Sequence, residues 1–150
     1  MDKAILYIHG KGGNPKEAEY YKALFEEYDV IGFDYSSQSP WEAKKEFPRL
    51  FDNLCGTYET VTVIANSIGA FFAMSALADS KIEKAYFISP VVDMERLIRN
   101  MMQWANVTED DLQKQKEILW GNTFLGLSLL CEGASCYLDC SNAHSVWRKG

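Results

Sequence analysis

The feature that most constrains the fold is a regular alternation of strand-like and helix-like segments over residues 3–90. Four short apolar runs are typical of buried strands. They are KAILYIHG (residues 3–10), DVIGFDY (29–35), TVTVIA (60–65) and KAYFISP (84–90). Helix-like segments lie between them, at residues 16–28, 41–55 and 68–78. This order predicts right-handed crossovers and an α/β fold, with a mostly parallel sheet and helices on both faces.

Prolines and apolar spacing give the first two helices more detail. Pro15 suits the first turn of the first helix, which is expected to place Tyr21, Leu24 and Phe25 on one face. Pro48 is expected to kink or interrupt the second helix, because proline lacks the N–H that the helix ladder needs.

Two further helices are predicted after the fourth strand. Residues 93–105 form an amphipathic pattern with Asp93 as the expected N-cap. Residues 108–120 form a second one, opened by a Thr108 to Asp111 spacing that is close to a capping box.

A single serine stands at the joint of the third strand and third helix, in VTVIANSIGAFFA (residues 61–73). Ligands of open α/β sheets bind at the carboxyl ends of strands, where Ser67 is expected. A tight strand-to-helix turn needs small flanking residues, and Ala65 and Gly69 give G-x-S-x-G with alanine in first place. The alternative is that Ser67 only caps the helix, as serine at such a junction often does.

A glycine-rich segment, HGKGG (residues 9–13), follows the first strand. A second N–H group for binding an oxyanion is expected at this place. A generic turn is the alternative, and a phosphate loop is excluded because the G-K-[ST] ending is missing. One βαβα stretch separates HGKGG from Ser67, which predicts that the two lie on neighbouring parts of the sheet edge.

Together, YIHGKGG, FDYSSQS, VIANSIGAFFA and YFISPVVDM resemble the α/β-hydrolase family, in particular its small bacterial serine esterase-like members. The resemblance covers residues 3–120 and implies a three-layer sandwich. It implies that Ser67 is the nucleophile on a nucleophile elbow. The implied oxyanion hole consists of the backbone N–H groups of Ile68 and of Lys11 or Gly12. His9 is then a structural residue that holds its loop rather than the base.

The same resemblance places residues 93–120 where the family inserts helices as a cap over the pocket, although ordinary packing helices are the alternative. A serine nucleophile needs a base that is oriented by an acid. In this family the acid and then the histidine follow later strands, and no such strand pattern follows Trp120. One hypothesis takes His144 as the base, with Asp139 or Asp93 as the acid.

Two other hypotheses concern the same tail. A zinc site has suitable ligand types but an uncommon spacing; its ligands would be Cys131, Cys136, Cys140 and His144. The hypothesis that fits best is that residues 124–150 are translated in a displaced reading frame. The loss of pattern after Trp120 motivates it, and codons can be chosen so that a one-base shift gives a strand like the family's next one. A stop codon in that frame of the gene would refute it. The expected organisation is an α/β core at 1–123 and an aberrant tail at 124–150, with a sheet incomplete at its C-terminal end.

Composition limits the partners. A net charge of −6 and a pI near 4.9 disfavour nucleic acid. The sequence shows no basic segment followed by an apolar one before the first strand, so no signal peptide is expected, and no apolar run is long enough for a membrane span. We therefore expect a cytoplasmic protein with no membrane partner.

The expected function is a serine hydrolase for small carboxylic esters, acting through an acyl-enzyme on Ser67 without metal or cofactor. Loss of the acid and base is expected to impair it in this chain. A non-catalytic α/β domain or degenerate remnant is the alternative, and a thioesterase or peptidase on the same scaffold is a third.

Overall fold

The computed structural model describes residues 2–111, 118–120 and 123–125. The chain divides into two compact units, Met1–Val91 and Val92–Gly150. The strands of the first unit are β1 (Lys3–Ile8), β2 (Asp29–Gly32), β3 (Thr60–Asn66) and β4 (Lys84–Ile88). Its helices are a 3-10 segment (Pro15–Ala18), α1 (Glu19–Lys22), α2 (Pro40–Cys55) and α3 (Ile68–Ala76). The predicted α/β class is confirmed.

The four strands pair in parallel, in the order β2-β1-β3-β4. Register aligns Ile8 of β1 with Ala65 of β3, and Asn66 of β3 with Ile88 of β4, so these three strands end level with one another. The chain leaves β1 for β2 on one side and later adds β3 on the other. The topological switch point, where open α/β sheets bind their ligands, therefore lies between the ends of β1 and β3.

One face of the sheet is covered by the first helical segment. Alternate side chains of β1 point to it and join a buried cluster with residues from β3 and the 3-10 segment. The cluster consists of Ile5, Tyr7, Ala18 and Ile64. Tyr21 and Phe25 pack against it, with the rings of Tyr7 and Tyr21 5.1 Å apart. Two of the three residues predicted for the apolar helix face are therefore confirmed.

The opposite face carries α2 and α3. The rings of Phe47 and Phe72, one from each helix, meet edge to face at 6.2 Å. Both side chains are buried, and the start of α3 at Gly69 lies against Ile8 of β1. Helices thus cover both faces, as the alternation predicted.

The first helical segment is shorter than predicted. It begins at Pro15, where Asn14 and Glu17 form a reciprocal capping box, but α1 ends at Lys22. The expectation that Leu24 belongs to the buried face was wrong, because its side chain is 73% exposed. The Leu24 N–H donates to the carbonyl of Tyr21, three residues back, which is a tightened final turn rather than a continuing helix.

The second helix is longer than predicted. Ser39 caps α2 through a capping box with Glu42, and Pro40 occupies the first turn. Of the kink or interruption expected at Pro48, the interruption does not occur, since α2 continues to Cys55. Phe47 and Phe51, which lie on either side of the proline, are both buried, and this burial offsets the lost backbone hydrogen bond.

The second unit contains α4 (Met94–Ala105), β5 (Ile118–Trp120) and β6 (Thr123–Leu125). The carboxylate of Asp93 accepts a 2.9 Å hydrogen bond from the Arg96 N–H, which confirms Asp93 as the N-cap. The Thr108 hydroxyl caps a helical turn at residues 109–111 as predicted.

The predicted end of that helix was wrong. Residues 118–120 pair with 123–125 as an antiparallel hairpin. The signal was present in the sequence, because strand-favouring ILW and TFL flank Gly-Asn, a typical hairpin connection.

Several predictions stay predictions. The proposed zinc ligands, His144, Asp139 and most of the hypothesised displaced frame lie outside the described residues. The boundary at residue 123 and the cap role of residues 93–120 are also untested. Within the described ranges, each helix is too short or too polar to cross a membrane.

Candidate active site

Ser67 joins β3 to α3 in a strained conformation. Its φ of 50° and ψ of −119° lie where residues other than glycine are rare, at a cost of about 1–3 kcal/mol. It holds the N-cap position of α3, yet its side chain makes no hydrogen bond to the helix. A capping serine is defined by that bond. The hydroxyl therefore does not serve as the cap, and the explanation of Ser67 as a helix cap lacks its defining contact.

The small residues around Ser67 have a steric reason. Ala65 is fully buried in β3. A Cβ on Gly69 would lie 2.2 Å from the carbonyl oxygen of His9, so α3 begins in direct contact with the backbone that follows β1. Only glycine allows this approach.

Both backbone polar groups of Ser67 are held by the end of β4 and the residues that follow it. The Ser67 N–H donates to the carbonyl oxygen of Ile88 at 2.9 Å, and the Ser67 carbonyl accepts from the Val91 N–H at 3.2 Å. Strained backbone persists where the surroundings fix it on several sides. These two bonds are such a constraint.

The HGKGG segment forms a tight turn next to Ser67. The Gly13 N–H donates to the Gly10 carbonyl at 3.1 Å, and Gly12 has a φ of +76°, as the third residue of a type II turn requires. A Cβ on Gly10 would lie 3.2 Å from the Cβ of Ser67. The two motifs therefore lie together at the switch point, as their spacing predicted.

Three backbone N–H groups near this point have no hydrogen-bond acceptor among the described residues. Two belong to Lys11 and Gly12 in the turn. The third belongs to Ile68, the first residue of α3, whose N–H has no partner within the helix. These are the groups that the family resemblance implies for an oxyanion hole.

The Glu17 carboxylate connects the residue that follows the turn to β1. Glu17 accepts a 2.6 Å hydrogen bond from the Tyr7 hydroxyl and a 3.2 Å bond from the Asn14 N–H. Burial and the bond to Glu17 raise the pKa of Tyr7 well above its usual value. Sequence reasoning did not include Glu17, although the N-x-x-E spacing from Asn14 is a capping-box signal.

His9 contacts its own loop and Tyr35, which lies three residues after the end of β2. Its ring stacks on the Tyr35 ring at 4.4 Å, and its Nδ1 lies 2.9 Å from the Gly10 carbonyl oxygen. The Tyr35 hydroxyl donates to the His9 carbonyl at 2.8 Å. Burial, with Glu46 nearby, raises the pKa of Tyr35 to about 12, so its hydroxyl stays a donor at neutral pH. These contacts support the structural role expected of His9.

The loop after β2 is held by α2. Glu46 accepts hydrogen bonds from the backbone N–H and the hydroxyl of both Ser36 and Ser37. Burial alone would raise the pKa of Glu46, but these bonds outweigh it and lower the pKa. The next residue, Gln38, accepts a 3.1 Å bond from the Lys11 ammonium and so connects this loop to the HGKGG turn.

A groove of about 540 Å³ runs between this loop and α2. Gln38 and Arg49 are among its lining residues, whereas Ser67 is not. In the described part of the chain, no three His, Cys, Asp or Glu residues are grouped to hold a metal ion.

No family model matches the sequence, and no curated protein matches it significantly. Solved structures do match. A lipase-esterase related protein from Clostridium acetobutylicum has 14% identity and a TM-score of 0.55, with 95% of this chain and 65% of that protein covered. An esterase from Pyrococcus furiosus has 23% identity and a TM-score of 0.52, with 89% and 54% covered.

At these identities the likeness shows the fold. The chain shares the α/β fold of these esterase structures, which confirms the fold that the resemblance implied. It spans about two thirds of the length of one and about half of the other.

Proposed function

We propose that this chain is a serine hydrolase of the α/β-hydrolase type that acts on small carboxylic esters through an acyl-enzyme on Ser67. The observation that carries the proposal is the conformation of Ser67, which is strained and whose hydroxyl is not used as a helix cap. Strain of this kind is characteristic of functional sites. The strand-turn-helix context is that of a nucleophile elbow.

The proposed chemistry uses the groups around Ser67. Its Oγ attacks the ester carbonyl carbon and forms a C–O bond, and the C–O bond to the leaving alcohol breaks. The hydroxyl proton passes to a general base and then to the departing alkoxide. The N–H groups of Ile68 and of Lys11 or Gly12 stabilise the oxyanion. Each is expected to increase the rate of acylation by roughly 10²–10³-fold.

The base is the open part of this mechanism. His9 is the one histidine in the described ranges, and it is bonded to Gly10 and stacked on Tyr35. His144, the base that the sequence suggested, lies outside the described residues. We propose the impaired form of this chemistry, in which loss of the acid and base makes acylation of Ser67 slow. The second candidate function is that of a non-catalytic α/β domain.

A fluorophosphonate probe tests the proposal, because it reacts with activated serines. We expect labelling of the wild-type chain that disappears in Ser67→Ala. Ser75→Ala is the matched control, since Ser75 lies in the same helix with its hydroxyl bonded to the Phe72 carbonyl. Equal labelling of Ser67→Ala and wild type, or none in either, would favour the non-catalytic domain.

The substrate class is tested separately. We propose a small-molecule ester as substrate, a cytoplasmic location, and no cofactor. Parallel assays with short acyl esters, thioesters and peptides distinguish an esterase from a thioesterase or peptidase.

A further inference from the structure

The pairing of β3 with β4 becomes irregular beside Ser67. In a parallel ladder, a residue donates its N–H to the residue before its partner and accepts from the residue after it. Asn66 is aligned with Ile88 in the last pair of the two strands, so a continued ladder would align Ser67 with Ser89. The bond from the Ser67 N–H to the Ile88 carbonyl follows the pattern. The Ser67 carbonyl would then accept from residue 90, but Pro90 has no N–H.

The chain avoids this conflict by a bulge. Ser89 has a φ of 45°, an uncommon conformation for a residue with a side chain. Val91, the residue after Pro90, then supplies the donor, and its N–H donates to the Ser67 carbonyl at 3.2 Å. Two residues, Ser89 and Pro90, thus occupy the place of one. Bulges of this kind occur beside active sites, where they redirect a side chain.

We propose that the Ser89–Pro90 bulge is a positioning device for Ser67. It holds the peptide groups on both sides of the Ser67 Cα, and these two planes set its φ and ψ. The Ser67 carbonyl shares its peptide plane with the Ile68 N–H, which points the opposite way in a trans peptide. The Val91 bond therefore orients the Ile68 N–H as well. The catalytic meaning of the bulge rests on the proposed function.

Val91→Pro tests this role directly, because it removes the N–H group that donates to the Ser67 carbonyl. Val92→Pro is the matched control, since Val92 is exposed and its N–H donates to no acceptor among the described residues. The rate constant for fluorophosphonate labelling at saturating probe is expected to fall roughly 2- to 10-fold in Val91→Pro, the range that one backbone hydrogen bond represents. Probe affinity is expected to stay close to wild type, and Val92→Pro is expected to label normally.

Amide hydrogen exchange gives a readout that needs no activity. The Ser67 amide, bonded to Ile88, is expected to exchange faster in Val91→Pro than in wild type, while the amides of Leu6 and Val63 in the central strands stay slow. If the wild type is not labelled at all, the proposed function fails, and exchange alone decides the bulge. Unchanged Ser67 exchange, or equal acceleration at all three amides, would overturn the inference.

A second pair of variants decides the matter if Val91→Pro does not fold. Ser89→Gly accepts a positive φ without strain, whereas Ser89→Val opposes it. We expect slow Ser67 exchange in Ser89→Gly and faster exchange in Ser89→Val. Identical exchange in the two variants would overturn the positioning role.

Discussion

Replacing Gly69 by alanine sets helix propensity against packing. Propensity alone favours alanine over glycine within a helix by about 1 kcal/mol. The added methyl carbon, however, would lie 2.2 Å from the His9 carbonyl oxygen and 3.1 Å from Cγ2 of Ile8. Ordinary contact begins near 3.4 Å, so α3 and the end of β1 must separate by about 1 Å.

The His9 carbonyl cannot move away freely. It is a backbone group, and it accepts a 2.8 Å hydrogen bond from the hydroxyl of the half-buried Tyr35. Overpacking of this kind costs typically 1–3 kcal/mol. Because the clash at 2.2 Å is with a hydrogen-bonded backbone oxygen, we take the upper part of this range, about 2–3 kcal/mol. After the propensity gain of about 1 kcal/mol is subtracted, we expect Gly69→Ala to lower the free energy of unfolding by about 1–2 kcal/mol, which corresponds to a melting point lower by roughly 2–8 °C.

Urea unfolding measures the effect as a shift in midpoint at constant m-value. Gly12→Ala is the control, because its methyl group meets no atom within 4 Å and any loss there reports only the positive φ of +76°. A Gly69→Ala protein as stable as wild type, or more stable, would refute the close approach of α3 to the HGKGG turn.

Three further predictions concern the loops around the site. Hydrogen bonds outweigh burial and lower the pKa of Glu46, so the stability that Glu46 provides is present above its ordinary pKa of 4.5 and is lost as pH falls through its pKa in the folded chain. Urea unfolding of wild type and Glu46→Gln at several pH values tests this, and a difference in unfolding free energy that does not change with pH would contradict it. Tyr35→Phe removes the bond to the His9 carbonyl and is expected to lower unfolding free energy by about 1 kcal/mol, whereas a wild-type midpoint would count against it. Burial raises the pKa of the Cys55 thiol to about 11, so peptide mapping after alkylation at pH 8 should find Cys55 modified far more slowly in the folded chain than in urea; equal rates would be the opposing result.

The sequence predicted the parts of the fold that depend on uninterrupted patterns. β1 and β3 are mostly apolar and buried, and their bounds came within two residues of the prediction. The joint at Ser67 and the cap at Asp93 were correct because each depends on local chemistry. The neighbouring position of the HGKGG turn followed from chain order alone.

The errors occurred where tertiary packing overrides a local rule. Leu24 fits a helical pattern, but the chain ends α1 early in order to reach β2. Pro48 opposes a helix locally, yet buried aromatic neighbours maintain α2. Ser89 and Pro90 carry no local signal for a bulge, since the need for one arises only when β4 pairs with the end of β3.

Acyl transfer to Ser67 is the most direct test of the proposed function. The chain is incubated with p-nitrophenyl acetate, and the masses of the intact protein and of its proteolytic peptides are measured by mass spectrometry. We predict one acetyl group, located on the peptide that contains Ser67 and missing in Ser67→Ala. An unmodified Ser67 peptide in a folded chain, or the same acetylation pattern in Ser67→Ala, would contradict the account.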